Sequence, residues 1–231
     1  MQAVYDLSKY PCNFNFFEFL VASTTAGCTH VVFDDSKGYK AKFPKAETLR
    51  RIESILIPAC KLAGVTHEFG AGRGYDPGYH IGVVLRAYRE FGGIKKLKSP
   101  LPPRDIKYTV TLRNSKRYKE RNSDRSSWLR FAGEIGALVI EDHDDKPLDL
   151  IERMAIYSGA EMNYMVANGP VMLCFLSDAP VTAFMKNVNE AYHREHGFPV
   201  GSQLPWFTKR QKAVWSGDSY EELRGFGRLD N

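Results

Sequence analysis

Short apolar runs alternate with amphipathic stretches along almost the whole chain. Residues 3–8 and 29–35 read as strands, the second apolar enough to be buried, and 65–70 as a weaker strand. Between them, residues 14–27 carry apolar positions at helical spacing and stop at Gly27. Residues 45–64 place Leu49, Ile52, Leu56 and Ala63 on one stripe and stop at Gly64, with Pro58 expected to kink or break the helix. A further helix over 79–93 ends at Gly92. The stretch 94–107 holds three prolines and several lysines and reads as a linker.

The pattern then restarts. Strands are expected over 107–114, 137–142, 161–168, 180–185 and 212–216. Helices are expected over 124–136 with Ser123 as N-cap, over 147–160 with Pro147 in the first turn, over 169–177 and over 189–197. Alternating strands and helices imply parallel sheets covered on both faces. The fold class is therefore α/β, built from two small Rossmann-like lobes, residues 1–98 and 99–231, with the break at the proline-rich stretch.

Composition narrows the class. Apolar residues make up 43% and charged residues 26% of the 231 positions, which suits a globular protein and not a disordered one. No apolar run is long enough to span a bilayer, and the N-terminal residues lack the basic-then-apolar order of a signal peptide. Cys12, Cys28, Cys60 and Cys174 are widely spaced in apolar settings and read as reduced core thiols. A cytoplasmic location follows as the expectation. Net charge is only +5, but basic residues crowd the stretch 104–130, opposed there by Asp105, Glu120 and Asp124. Such a loop suits a phosphorylated small molecule or a nucleic acid. The chain lacks the interleaved basic and aromatic motifs of common RNA modules, which disfavours nucleic acid.

In doubly wound sheets, ligands bind beyond the carboxyl ends of the strands, which selects a few loops. Asn168-Gly169-Pro170 joins a strand to an apolar helix. Free amides at Val171 and Met172 would favour an anion there. Arg113 ends a strand and opens the basic loop with Lys116 and Arg117; a guanidinium grips phosphate through paired hydrogen bonds. Glu141, Asp142, His143, Asp144 and Asp145 follow another strand, where an acid can accept from ribose hydroxyls. Asp142 and Asp144 also form a D-x-D pair of the kind that holds a divalent cation on a diphosphate. The glycine-rich stretch 69–80 does not fit the dinucleotide fingerprint. It reads as a flexible loop able to close over a ligand, with Arg73 and His80 facing a cleft. Asp6 ends the first strand, and Asn13 and Asn15 follow in the loop where an acceptor would sit. Gln203, Trp206, Phe207 and Trp215 offer either packing or a stacking surface.

Taken together, the strand, the arginine loop, the helix, the acidic strand end and the run "VANGPVMLCFLSDAPVTAF" resemble the nucleotide-sugar-binding lobe of GT-B glycosyltransferases. The Gly-Pro corner resembles that of heptosyltransferase-like enzymes, and "YTVTLRNSKRYKERN" is similar to the arginine loop of the fucosyltransferase-like branch. "VYDLSKYPCNFNFFEFL" and "LRRIESILIPACKLAG" resemble the first lobe of uncharacterised bacterial glycosyltransferase-like proteins. The resemblance implies metal-independent transfer of a sugar from a nucleoside diphosphate sugar, with no further cofactor, to an unknown glycan or small-molecule acceptor. It places the donor diphosphate on Arg113, Lys116, Arg117, Asn168, Gly169, Pro170 and Val171, and ribose or base on Glu141, Asp142 and His143. Asn13, Asn15 and Arg73 fall on the acceptor side. Asp6, Glu68 and His80 are the candidate catalytic bases, Asp6 first. The alternatives are a D-x-D metal-dependent transferase and a non-catalytic protein binding a nucleotide sugar or RNA.

Overall fold

The computed structural model describes residues 1–115, 119–142 and 148–227. The chain divides into two compact units, residues 1–101 with 149–151, and residues 102–148 with 152–231. Both are mixed α/β with parallel sheets, so the alternation of periods along the chain specifies the class.

In the first unit, strands β1 (Gln2–Asp6), β2 (His30–Asp34) and β3 (Thr66–Phe69) pair in that order, all parallel. Helix α1 (Phe16–Thr25) is apolar nearly all round and buries Phe16, Phe17 and Phe19 completely. The Tyr5 ring meets Phe16 and Phe19 edge-on, at 4.8 and 4.9 Å between centroids. The next helical stretch is not continuous. Helix α2 (Lys45–Arg51) passes through a π-helical turn at Ile52–Leu56 into α3 (Ile57–Ala63). Pro58 has no amide to donate, and the chain widens just before it. The extra residue rotates the faces out of phase. Ile52 and Leu56 are buried as expected, while Leu49 lies 40% exposed, off the expected stripe. Helix α4 (Ile81–Phe91) closes the unit, and Gly64 and Gly92 end α3 and α4 at positive φ.

The glycine-rich stretch is packed rather than free. Tyr75 bridges Ala3 on the outer edge of β1, and a side chain at Gly72 would collide with Val32. Asp76 accepts from the Tyr10 hydroxyl at 2.7 Å and pairs with Lys9 at 3.1 Å. The expected lid is a crossover pinned to β1.

A buried carboxyl oxygen in this unit has no hydrogen-bond partner. Glu18, in the first turn of α1, has a sealed Oε2 with no hydrogen-bond partner. Burial pushes its pKa well above the ordinary 4.5. The unfolded chain ionises near that ordinary value while the fold resists ionisation. Stability is therefore greatest below about 4.5 and falls as pH rises toward the folded pKa. Glu18→Met keeps the shape and removes the charge. It is expected to stabilise the protein by about 1–3 kcal/mol at pH 8 and by less at pH 5. Thermal midpoints at the two pH values check this, and a variant no more stable than wild type at pH 8 would contradict it.

The second unit is a five-stranded parallel sheet ordered β5-β4-β6-β7-β8, made of β4 (Ile106–Arg113), β5 (Leu138–Asp142), β6 (Ala160–Val166), β7 (Val181–Phe184) and β8 (Gln211–Val214). Helices α5 (Arg125–Ile135), α6 (Leu150–Gly159), α7 (Val171–Phe175) and α8 (Glu190–Glu195) join successive strands. Helix α9 (Tyr220–Gly227), which the apolar pattern did not suggest, follows the last strand. Tyr108, Val110 and Leu112 of β4 pack with Trp128 and Phe131 of α5 and Leu223 of α9 on one face. Thr109 and Thr111 point to the other, where the Thr111 hydroxyl lies 2.8 Å from that of Tyr157 on α6. The β8 edge is capped by a side chain. Gln203 accepts from the Ala213 amide and donates to its carbonyl, both at 2.8 Å, as a neighbouring strand would. No described helix is long and apolar enough to cross a membrane.

Candidate functional site

In the second unit the first strand, β4, has the second on one side and the third on the other. The connections leave in opposite directions, which makes β4/β6 the switch point where doubly wound sheets take ligands. Thr111 stands level with Met165, so two residues on Arg113 is level with Ala167, just before Asn168. By alternation Arg113 shares the face of Thr109 and Thr111, which is the α6 face. Helix α7 lies on that face too, because the β5–α6–β6 and β6–α7–β7 crossovers of this parallel sheet run in the same direction and such crossovers are right-handed. Arg113 and the corner Gly169-Pro170 thus stand at adjacent strand ends on one side of the sheet.

The corner differs from expectation in one respect. Its amides are not free: Val171 donates to Asn168 Oδ1 at 3.2 Å, and Met172 to the Gly169 carbonyl at 3.1 Å. The buried side chain of Asn168 caps the turn, Pro170 and Val171 are buried, and α7 is a single short turn of helix. The short length of the apolar segment leaves no helix dipole of consequence. Positive potential at this edge comes instead from side chains.

Those side chains are held in place. Ser123, expected as the N-cap of α5, does something else: its hydroxyl accepts from the Arg113 amide at 2.9 Å and its own amide donates to the Arg113 carbonyl. The cap is Asp124, whose carboxylate accepts from Ser127. Asn122 closes the loop by accepting from the Ser115 amide and donating to its carbonyl. Arg121, in a short 3-10 turn at Lys119–Arg121, donates to the Ala167 carbonyl at 3.2 Å and so spans the switch point. From the far side, Lys186 donates to the Asn122 carbonyl and Asn187 to that of Glu120, with Asn187 at φ 49°. A non-glycine residue there is held by its surroundings at some cost. Beneath them Asp218, 3% exposed, accepts from the Asp124 amide and the Trp128 indole and pairs with Lys186 at 2.6 Å.

The remaining expected residues separate clearly. Glu141 is level with Leu112 and pairs with Arg125 at 2.6 Å, so an ion pair occupies the carboxylate assigned to ribose. Asp142 is level with Arg113 at the end of β5. Lys116, Arg117, His143, Asp144 and Asp145 lie outside the described residues, as do the Asp142 side chain and Pro147. The described residues contain no cluster able to hold a metal ion. Trp206 and Trp215 spend their indole N–H groups on the carbonyls of Phe175 and Ser202, and Phe207 packs on Phe175, which makes this aromatic group internal packing.

Asp6, Glu68, His80, Asn13, Asn15 and Arg73 belong to the first unit. Asp6 Oδ1 accepts from the Ser8 hydroxyl at 2.6 Å, the Ser8 amide and the Lys9 amide. Partial burial favours its neutral form, but those hydrogen bonds outweigh burial and hold the carboxyl below its ordinary pKa. Asp34, level with Asp6 on β2, repeats the arrangement with Ser36. A carboxylate so engaged is a turn-former and a weak base, which reverses the first-place ranking of Asp6. Glu68 is exposed and lies 3.5 Å from His30. His80 is half-buried at the start of α4, Asn13 accepts from the Asn15 amide to shape the turn before α1, and Arg73 is exposed with its carbonyl held by Gln2. The sequence reading missed Arg121, Lys186 and Asp218. Their signal was position, each lying just beyond a strand end. The chain matches no protein-family model, no curated protein and no solved structure.

Proposed function

We propose that the carboxyl edge of the second unit binds the diphosphate of a nucleoside diphosphate sugar and that the protein is a glycosyltransferase. The observation that carries this reading is the placing of two arginines at the β4/β6 switch point, Arg113 at the end of β4 and Arg121 with its guanidinium on the Ala167 carbonyl, on a loop fixed from both sides. Guanidinium groups held in advance stabilise the charge that develops on a departing diphosphate and spend nothing on reorganisation. Lys116 and Arg117, on the same loop, would add to that charge. In this reading transfer needs no bound metal. The hydrogen bonds that commit Asp6 to its turn favour a second reading, in which the protein binds the nucleotide sugar without turning it over.

A thermal-shift panel of UDP-, GDP-, CMP- and ADP-linked sugars tests the proposal. At least one nucleoside diphosphate sugar is expected to raise the unfolding midpoint, because a ligand that prefers the folded state stabilises it by mass action. No shift with any of them would contradict it. Release of nucleotide on adding candidate acceptors separates the enzyme from the binder.

A further inference from the structure

We propose that residues 91–101 dock the first unit on an anionic lipid surface, with Phe91 and Leu101 entering the headgroup layer and Lys95 and Lys98 facing its phosphates. Helix α1 packs between α3 and α4. Helices α1 and α3 end at the edge where β2 and β3 begin, and α4 ends beside them. The chain then crosses those ends as a strap. The Lys95 amide donates to the Thr25 hydroxyl at the end of α1, and the Lys98 amide to the Leu62 carbonyl near the end of α3, both at 2.9 Å. Leu97 is buried and anchors the strap from within. Backbone bonds and one buried side chain thus fix the segment, and the side chains of Lys95 and Lys98 are left exposed.

The edge is basic. From residue 86 to 101 the chain carries Arg86, Arg89, Lys95, Lys96 and Lys98 and a single acid, Glu90. Lys61, in the last turn of α3, is exposed beside the Leu62 carbonyl that holds Lys98. Lysines near helix carboxyl ends are explained by the negative end of the helix dipole. That does not explain why the strap starts and stops on apolar side chains held in water, Phe91 at 49% exposure and Leu101 at 39%. Apolar side chains flanking a row of ammonium groups match the layering of an anionic bilayer, where hydrocarbon lies just inside the phosphates. An RNA backbone would satisfy the charges, but aliphatic Leu101 offers a base no stacking face, which favours lipid. Each cation near such a lipid surface is worth roughly fivefold in affinity.

The test is co-sedimentation of the full chain with vesicles at about 0.1 M salt, where exposed charges are screened beyond about 10 Å. Vesicles of phosphatidylcholine alone are compared with vesicles containing phosphatidylglycerol as about one-third of the lipid. Wild-type protein is expected to pellet with the anionic vesicles and to stay in solution with the neutral ones. The double variant Lys95→Gln, Lys98→Gln is expected to bind the anionic vesicles roughly 30-fold more weakly. Its thermal midpoint should match wild type, because the strap is held by amides and not by those side chains. Phe91→Ser and Leu101→Ser, made separately, should each weaken binding roughly fivefold. No binding to anionic vesicles, or binding that the lysine variant leaves unchanged, would overturn the proposal. So would binding indifferent to both serine variants together with equally tight, lysine-dependent binding of a single-stranded RNA, which would make this edge a nucleic-acid surface. None of these outcomes bears on the diphosphate reading, whose residues lie in the second unit.

Discussion

Asp218→Ala is expected to destabilise the second unit by about 3 kcal/mol, the lower end of the cost of breaking a buried ion pair because Lys186 keeps some contact with solvent. The carboxylate is 3% exposed and serves three groups at once. Its Oδ2 accepts from the Asp124 amide and the Trp128 indole at 2.8 Å each, and its Oδ1 holds Lys186 at 2.6 Å. Trp128 is fully buried and meets Phe184 edge-on at 5.5 Å, so an unpartnered indole N–H would sit inside the core of this sheet. Lys186 in turn holds the Asn122 carbonyl, so the loss reaches the arginine loop. Asp218→Asn keeps an acceptor and is expected to cost less. Urea midpoints of the two variants check the order. An Asp218→Ala midpoint equal to wild type would mean that the triple contact is not what fixes the loop.

Arg113→Ala is expected to weaken binding of the nucleoside diphosphate roughly 10- to 100-fold, the worth of hydrogen bonds from a charged donor. The backbone of residue 113 is anchored independently through both of its bonds to Ser123, so truncating the side chain leaves the strand end in place. Loss of affinity without loss of stability is the expected pair of results. Arg113→Lys keeps the charge but not the fork, and an intermediate affinity follows. Unchanged affinity of Arg113→Ala by calorimetry would remove this residue from the site.

Much of the fold is visible in the residue pattern, and the reason is local. The strands around Val31, Val110 and Met165 are apolar runs bounded by turn residues, and α3 and α4 stop at glycines, which reach the observed positive φ without steric cost. What escaped was set by contacts that residue type and spacing do not encode. The π turn that exposes Leu49 depends on how the segment meets Pro58, and residue spacing assumes an unbroken helix. Ser123 and Asp124 are both good caps; only the neighbouring Arg113 backbone decides which one serves the helix. At Gly169-Pro170 the residue types suggest an open amide nest, but Asn168 folds back to fill it. Asp218 lies 94 residues from the Asp124 amide it accepts from, a separation that no local pattern encodes. The place of Arg113 at the sheet edge was legible, since strand-end position carries to the edge in any parallel order. The surroundings of the arginine loop were legible only in part, because Arg121 and Lys186 make their contacts beyond the ends of β6 and β7.

Hydrogen–deuterium exchange with and without the nucleotide sugar that gives the largest thermal shift tests the central claim most directly. Added protection is expected at residues 113–115, 119–124 and 167–169, the strand ends and loop at the switch point. Protection confined to residues 1–101, or none at saturating ligand, would contradict a diphosphate site on the second unit.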